Sequence, residues 1–365
     1  MFLSGEARDG YHIARRSLRE SMDNGATTRN DHVGTVMETR TRMLHELVSA
    51  IDHHDNQLFR SLLRRCKSVP PIATVTCWPC NAVSFSGVVE AHEEGIIEPV
   101  LVGPLPALQK LAASQGRDIS LYRILDVRTE EEAAAASVQL CRNGETAALM
   151  KGSLHTDVMM HAVLDKANGL QTRKRVSHVF VMEAPLYERP LLITDAAINI
   201  YPSLTEKAGI LQNAIDLAHF LGISKPKVAV LSAVETVCAA ISSTIDAAAL
   251  CKMSERDQIH GADVDGPLAF DTAVSLEAAN LKQLKSSVAG KADILLVPDI
   301  EAGNMLAKQL EYLGAARLAG IVLGATVPIV LTSRADSTDA RMASCAIASL
   351  LVGHSRAEHS SITIL

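Results

Sequence analysis

The chain has 365 residues, 48% of them apolar but only 3% aromatic, with a formal net charge of -6. That length exceeds what one hydrophobic core usually holds, so two domains are expected. The acidic balance, the lack of a basic stripe interleaved with aromatics, and the lack of any apolar run of ~18 residues argue against nucleic-acid and membrane partners.

Residues 1–35 are polar and carry no apolar h-region, so they read as a flexible extension rather than a secretory signal. An amphipathic helix is predicted over 36–66, and its "DHHDNQ" (52–57) reads as a solvated helix face rather than a metal cluster. The apolar run "IATVTC" follows as a strand and closes on "CWPC" (Cys77 to Cys80). That motif has no second CxxC or Cys-His pair at zinc spacing, and no helix pattern begins inside it to lower a thiol pKa. It reads as a plain strand end with dispensable thiols. The seven cysteines are odd in number and scattered, as free thiols of a reducing cytoplasm would be.

Strand-like runs then alternate with helical ones. The strands are "EPVLVG", "AALMKG", "HVFVM", "PLLITDAAI", "KVAVLSA", "DILLVPD", "AGIVLG" and "VPIVLTS". The helices include "SFSGVVEAHEEG", "PALQKLAASQG", "EEEAAAASVQLCRNG", "LTEKAGILQNAIDLAHFLG" and "NMLAKQLEYLG". Such alternation predicts an α/β protein with parallel-rich sheets and helices on both faces.

In such sheets functional groups gather beyond the carboxyl ends of the strands. Six ends here close on polar clusters: Lys151, Ser153, His155 and Thr156; Thr194, Asp195 and Asn199; Ser232, Glu235 and Thr236; Asp265 and Asp271; Asp299, Glu301 and Asn304; Ser333 and Arg334. A single shared cleft is therefore expected. In "KGSLHT" a lysine and a glycine precede a helix start. In "SRADSTDAR" an arginine precedes one capped by Asp336 or Ser337, and "AGNMLAKQ" offers a third start at Gly303 and Asn304. Helix-start N–H groups beside a fixed cation bind phosphate or carboxylate. No Walker A loop and no G-x-G-x-x-G after a strand is present. Plainer roles compete: a salt bridge for Lys151, caps for Asp195 and Asp299, ordinary polar roles for His155 and His178. Arg334 leaves an apolar strand directly and needs an anion, either a ligand or Asp336 or Asp339. The residues alone thus describe a two-domain α/β enzyme with an anionic substrate in a cleft.

The segments "ALMKGSLHT", "LLITDAAINIYP", "VAVLSAVETV", "DGPLAFDTAVS", "ADILLVPDIEAGNMLAKQL" and "PIVLTSRADS" together resemble the phosphate acetyltransferase and phosphate butyryltransferase family, with "LSAVETV" and "DAAALCKM" resembling its butyryltransferase-like branch. The resemblance implies reversible transfer of a short acyl group between CoA and inorganic phosphate, through an acyl phosphate. It implies an isocitrate/isopropylmalate dehydrogenase-like fold of two α/β domains around a cleft. Domain 1 is then 36–166 plus 323–365, and 167–322 is the inserted domain 2. It also implies a cytoplasmic homodimer with no metal or bound cofactor. By the same resemblance Ser333 and Arg334 are catalytic, with Asp336 and Asp339 beside them. Lys151, Gly152, Ser153, Thr156, Gly303 and Asn304 bind substrate. The sequence departs from the family in three places, one of them "DVMMHAVL", where relatives carry an arginine. Ala340 stands where relatives carry the aspartate proposed as base, and Thr326 stands where many carry arginine in "GARVPI". Two alternatives remain at this level: a decarboxylating dehydrogenase on the same fold, and a weakly active CoA-binding or regulatory homologue.

Overall fold

The computed structural model describes residues 57–333 and 336–362, with 57 and 356–362 as backbone only. The extension 1–35, most of the predicted 36–66 helix with its "DHHDNQ" segment, and Arg334 lie outside the described residues. Helix α1 (Gln57–Cys66) leads into β1 (Ile72–Cys77), α2 (Ala82–Glu93), β2 (Ile97–Gly103), α3 (Leu105–Ser114), β3 (Arg123–Asp126), α4 (Glu130–Arg142), β4 (Ala148–Lys151) and α5 (Thr156–Val163). A second run follows with β5 (Ser177–Glu183), β6 (Leu191–Thr194), α6 (Leu204–Phe220), β7 (Lys227–Leu231), α7 (Ser242–Glu255) and β8 (Asp263–Leu268). It continues through α8 (Phe270–Val274), α9 (Leu276–Leu281), β9 (Ile294–Leu296) and α10 (Ile300–Tyr312). The chain returns by β10 (Arg317–Leu323) and β11 (Ile329–Val330), and α11 (Thr338–Ile362) closes the fold.

The alternation expected from the sequence is present. Strands read as apolar runs are buried on both faces: β4 throughout, and β5 except for its last residue. Helix starts follow local chemistry. Asn81, Thr129 and Asp299 each accept from the third residue on, and Ser203 forms a reciprocal box with Glu206. Two strands were not expected, β3 and β8. Each ends the sheet and needs no two-sided apolar run; β3 leaves three of its four residues exposed.

The strands form one sheet in the order β3-β2-β1-β4-β11-β10-β5-β6-β9-β7-β8. It runs unbroken across the expected domain boundaries, because β10 pairs with both β5 and β11. Most neighbours are parallel, but β11–β10, β10–β5 and β5–β6 are antiparallel. These pairings reverse the second parallel set, β6, β9, β7 and β8, against β1, β2, β3, β4 and β11. The carboxyl ends of the two sets therefore lie at opposite edges of the sheet. This corrects the expectation that all six polar strand ends share one cleft. That reading assumed one strand direction throughout, and direction depends on partners distant in sequence.

Register decides what faces what. Leu149, Ile329, Val322 and His178 align across four neighbouring strands, so they share one face. On this face β4 and β11 pack under α4 and α5, while Phe180 and Ile193 pack under α10. The opposite face buries Met150, Val330, Ile321 and Val179 together with Ala343, Ala346 and Ile347 of α11. The two covers on the first face belong to separate clusters. Gly320 and His178 lie at their junction.

Candidate active site

Beyond β11 the chain turns at Thr332 and Ser333 before α11. Asp336 is buried, and its carboxylate accepts from Ser333 N at 2.7 Å and from Lys308 Nζ at 3.0 Å. Arg341, only 2% exposed, donates through Nη1 to Thr332 Oγ1 at 3.1 Å and through Nη2 to the Ser333 carbonyl at 2.8 Å. Its stem fills the space left by Gly87, where a Cβ would stand 2.5 Å from Arg341 Cδ. Ser337 Oγ accepts from Ala340 N at 3.2 Å, which fits the predicted cap. Asp336 instead turns back onto Ser333. Asp339 is turned outward: its side chain is 73% exposed and meets Arg317 at 3.2 Å. Ala340 is buried in its place, because adjacent helix residues point ~100° apart.

One strand over, β4 brings Lys151 beside this turn. Met150 pairs with Val330 in parallel register, so the two carboxyl ends emerge side by side at the ~4.8 Å strand spacing. Lys151 is buried, with Nζ 3.4 Å from the Gly152 carbonyl. Gly152 has no room for a side chain: a Cβ would stand 2.4 Å from Trp78 O and 2.5 Å from Cys77 O. Ser153 donates to the Trp78 carbonyl through both N and Oγ, at 2.8 and 3.0 Å. Thr156 is the first residue of α5.

The facing wall is α10. Gly303 and Asn304 do not open this helix, as had been expected. Asp299 caps it, so both residues sit in its second turn and Gly303 N is already bonded to Asp299 O. Gly303 serves close packing instead, since a Cβ would stand 2.8 Å from Asp195 O. Asn304 Nδ2 donates to the Ala196 carbonyl at 3.3 Å. Lys308, one turn on, reaches Asp336 and also Glu311 at 2.7 Å. Burial alone would lower its pKa, but the bonds to Glu311 and Asp336 outweigh this and raise it. Lys308 escaped the sequence reading, although its i+4 spacing from Asn304 in "AGNMLAK" places the two on one face.

His178 fills the floor between the walls. It is completely buried, its ring packs edge-on against Phe180 at 4.4 Å, and neither ring nitrogen has a well-formed hydrogen bond. Gly320 makes room for it: a Cβ there would stand 3.0 Å from His178 Nε2 and 2.2 Å from Leu331 O. Burial depresses the His178 pKa despite the carboxylates of Asp195 and Asp336 nearby. The unfolded chain then binds the extra proton first, so this residue costs stability as pH falls below ~6.5. His178→Gln should flatten the fall of the melting temperature between pH 6.5 and 5 relative to wild type. Parallel curves would show that His178 does not carry it.

Asp195 supports this floor, accepting from His178 N at 3.1 Å and from Ala197 N and Ile198 N, both at 2.9 Å. The other strand-end groups lie elsewhere. Ser232 and Asp299 line a separate cavity of about 600 Å³ with Lys207, Asp246 and Phe270. Glu235 and Asp271 pair with Lys282, and Asp265 bonds Gly266 N. The aspartates that a decarboxylating dehydrogenase would need to converge on a metal are thus dispersed. No metal-binding group of three or more His, Cys, Asp or Glu is found among the described residues. Thr326 precedes β11 while Ser333 follows it, so Thr326 stands at the other end of that strand. The cysteines are free, and burial pushes Cys77 and Cys80 up to about 12, leaving both thiols protonated at neutral pH.

The site therefore combines a rigidly held serine turn, two lysines and a glycine-shaped floor, between two helical covers. Such a set suits an anionic group undergoing transfer. The chain's relatives of known name are acyl-transferring enzymes. Residues 126–349 match the phosphate acetyl/butaryl transferase family. A phosphate acetyltransferase of Rhizobium meliloti is 53% identical over 81% of this chain and 94% of its own length. A phosphate butyryltransferase of Clostridium beijerinckii is 40% identical over 82% of this chain and 99% of its own. The crystal structure of a branched-chain phosphotransacylase from Enterococcus faecalis superposes with a TM-score of 0.67 at 30% identity, over 77% of this chain and 99% of that one. The chain belongs to the phosphate acetyl/butaryl transferase family.

Proposed function

We propose that this cleft carries out reversible acyl transfer between CoA and inorganic phosphate, for a short acyl group of the acetyl or butyryl kind. The observation that carries the reading is the Ser333 turn, locked by Asp336, Lys308 and Arg341 next to buried Lys151. In this mechanism the CoA thiol attacks the acyl carbonyl of the acyl phosphate directly, phosphate leaves, and no acyl-enzyme forms. The Ser333 hydroxyl donates to the developing oxyanion, and Arg334 grips the phosphoryl group in a bidentate fork. A free thiol has a pKa of ~8.5 and needs help to ionise at neutral pH. Asp336 is already engaged with Ser333 N and Lys308, and Asp339 faces outward. Thiolate formation is therefore assigned to the positive charge of Lys151 and Arg334 rather than to an aspartate base, since Lys308 is neutralised by Asp336 and Glu311. Gly152, Ser153 and Thr156 shape the substrate side of β4, and Gly303 and Asn304 hold the opposite wall.

In this reading CoA, phosphate and acyl phosphate are substrates and no resident cofactor is needed. The two-unit division at 166/167 and 322/323, the likeness to isocitrate and isopropylmalate dehydrogenases, a homodimer and a cytoplasmic location are parts of the same proposal. No helix among the described residues is long and apolar enough to cross a membrane.

The deciding assay follows CoA release from acetyl-CoA and butyryl-CoA with phosphate present. Phosphate-dependent release supports the reading, and none with either substrate removes it. Arg334→Lys keeps the charge but loses the planar fork. It should lower kcat by ~10²-fold or more in a protein that still melts normally. A rise in KM for phosphate alone would restrict Arg334 to ground-state binding, and wild-type kinetics would remove it from the mechanism.

A further inference from the structure

Trp78 is the one tryptophan of the chain, and it stands in a left-handed backbone conformation with φ of 59°. That region is unfavourable for a bulky side chain, and such strain persists where surrounding contacts impose it. The contacts here belong to the cleft. The Trp78 carbonyl accepts from Ser153 N, Ser153 Oγ and Cys80 N, at 2.8, 3.0 and 2.8 Å. Trp78 N is held by Val102 O at 2.8 Å, and Gly152 must be glycine because Trp78 O and Cys77 O occupy its Cβ position. The indole is only partly buried, against the apolar cluster under α4 and α5. A glycine would hold the same backbone without strain, so the turn itself does not call for tryptophan.

We infer that the Trp78 indole forms part of the binding surface for the CoA moiety, and that it does not touch the transferred acyl group. The inference rests on the acyltransferase reading above. Reach favours the CoA arm over the acyl group. β1 lies two strands from β11, so Trp78 is about 10 Å from the Ser333 turn across the sheet. An extended butyryl group spans only ~5 Å from the reacting carbon. The long arm of CoA leaves that carbon through sulfur and covers the distance. On this inference Trp78 sets affinity for CoA, and an unchanged ratio of acetyl to butyryl turnover in a Trp78 variant separates this from an acyl contact.

Because the chain holds a single tryptophan, its fluorescence reports on this spot alone. Titration of the whole chain with CoA should change the emission saturably and protect the indole from acrylamide. Inorganic phosphate and acetyl phosphate should do neither. Pantetheine and ADP, titrated separately, identify which part of CoA meets the ring. Trp78→Gly keeps the backbone conformation but gives up the indole's packing on the cluster under α4 and α5, so it should melt somewhat lower and its kinetics are read at a temperature where it is folded. It should raise KM for CoA about tenfold, the loss expected for one aromatic contact worth about 1.4 kcal/mol. KM for acyl phosphate and the ratio of acetyl to butyryl turnover should stay within twofold, which a merely structural role would not predict. An enzyme that turns over normally while its emission ignores saturating CoA and its Trp78→Gly variant keeps the wild-type KM for CoA would overturn the inference and leave the acyltransferase reading intact. A chain without turnover would sink that reading, and the CoA titration would still judge Trp78.

Discussion

Arg341→Met should be among the most damaging single substitutions in the described part of the protein. The guanidinium is buried against Gly87 and satisfies Thr332 Oγ1 and the Ser333 carbonyl. Methionine fills part of the stem volume but leaves both oxygens without these donors. It also strips positive charge from the surroundings of buried Asp336. Breaking a buried, charge-assisted network of this kind costs about 3 kcal/mol or more. At ~2.1 cal/mol/K per residue, roughly 300 ordered residues would lose about 5 °C in melting temperature. Turnover should fall further than stability explains, by ~10²-fold at a temperature where the variant is folded, because Ser333 hangs from the same carbonyl. A variant that loses stability but keeps wild-type kcat would show that the turn is positioned without Arg341.

Lys308→Met is expected to be the second large effect, and it tests the link from α10 to the turn. Asp336 has a completely buried side chain whose ammonium partner is Lys308 at 3.0 Å. Removing the lysine strands a buried carboxylate near the Ser333 amide, and Asp336→Asn removes the charge from the other side. Each single variant should lower the melting temperature and kcat. The double variant should be less damaging than their sum, with a coupling of about 1–3 kcal/mol. Strict additivity would mean that the pair does not act as a unit. The pH sign follows from the raised Lys308 pKa. A lysine whose folded pKa exceeds its unfolded value contributes fully below the unfolded value and loses that contribution as pH rises through the folded one. Wild type should therefore lose the Lys308 contribution above pH ~10.5, and Lys308→Met should lack that part of the alkaline decline.

Local chemistry wrote much of this fold into the sequence. Apolar runs such as "ALMK" and "HVFVM" lie between helices with 3.6-residue periodicity, and that alternation needs only near neighbours to be read. Glycine and the turn residues marked the places where β4 and β11 end, so Lys151, Gly152, Ser153 and Ser333 were legible as a group of polar strand ends. Edge strands β3 and β8 were not legible, since a strand with one covered side carries little apolar signal.

Tertiary structure decided the rest, because strand direction and side-chain partners depend on residues far apart in sequence. The antiparallel neighbours of β10 and β5 reverse half of the sheet, and this sends Ser232 and Asp299 to another cavity than Ser333. One helical step turns Asp339 to solvent and buries Ala340. Asp336 becomes the anchor of the turn only because Lys308 arrives from a helix 28 residues earlier. The sequence by itself determined which residue types gather at the strand ends. The packing of α10 and α11 against the middle of the sheet decided which of them meet, since burial lets a charged group persist only where a partner comes to it.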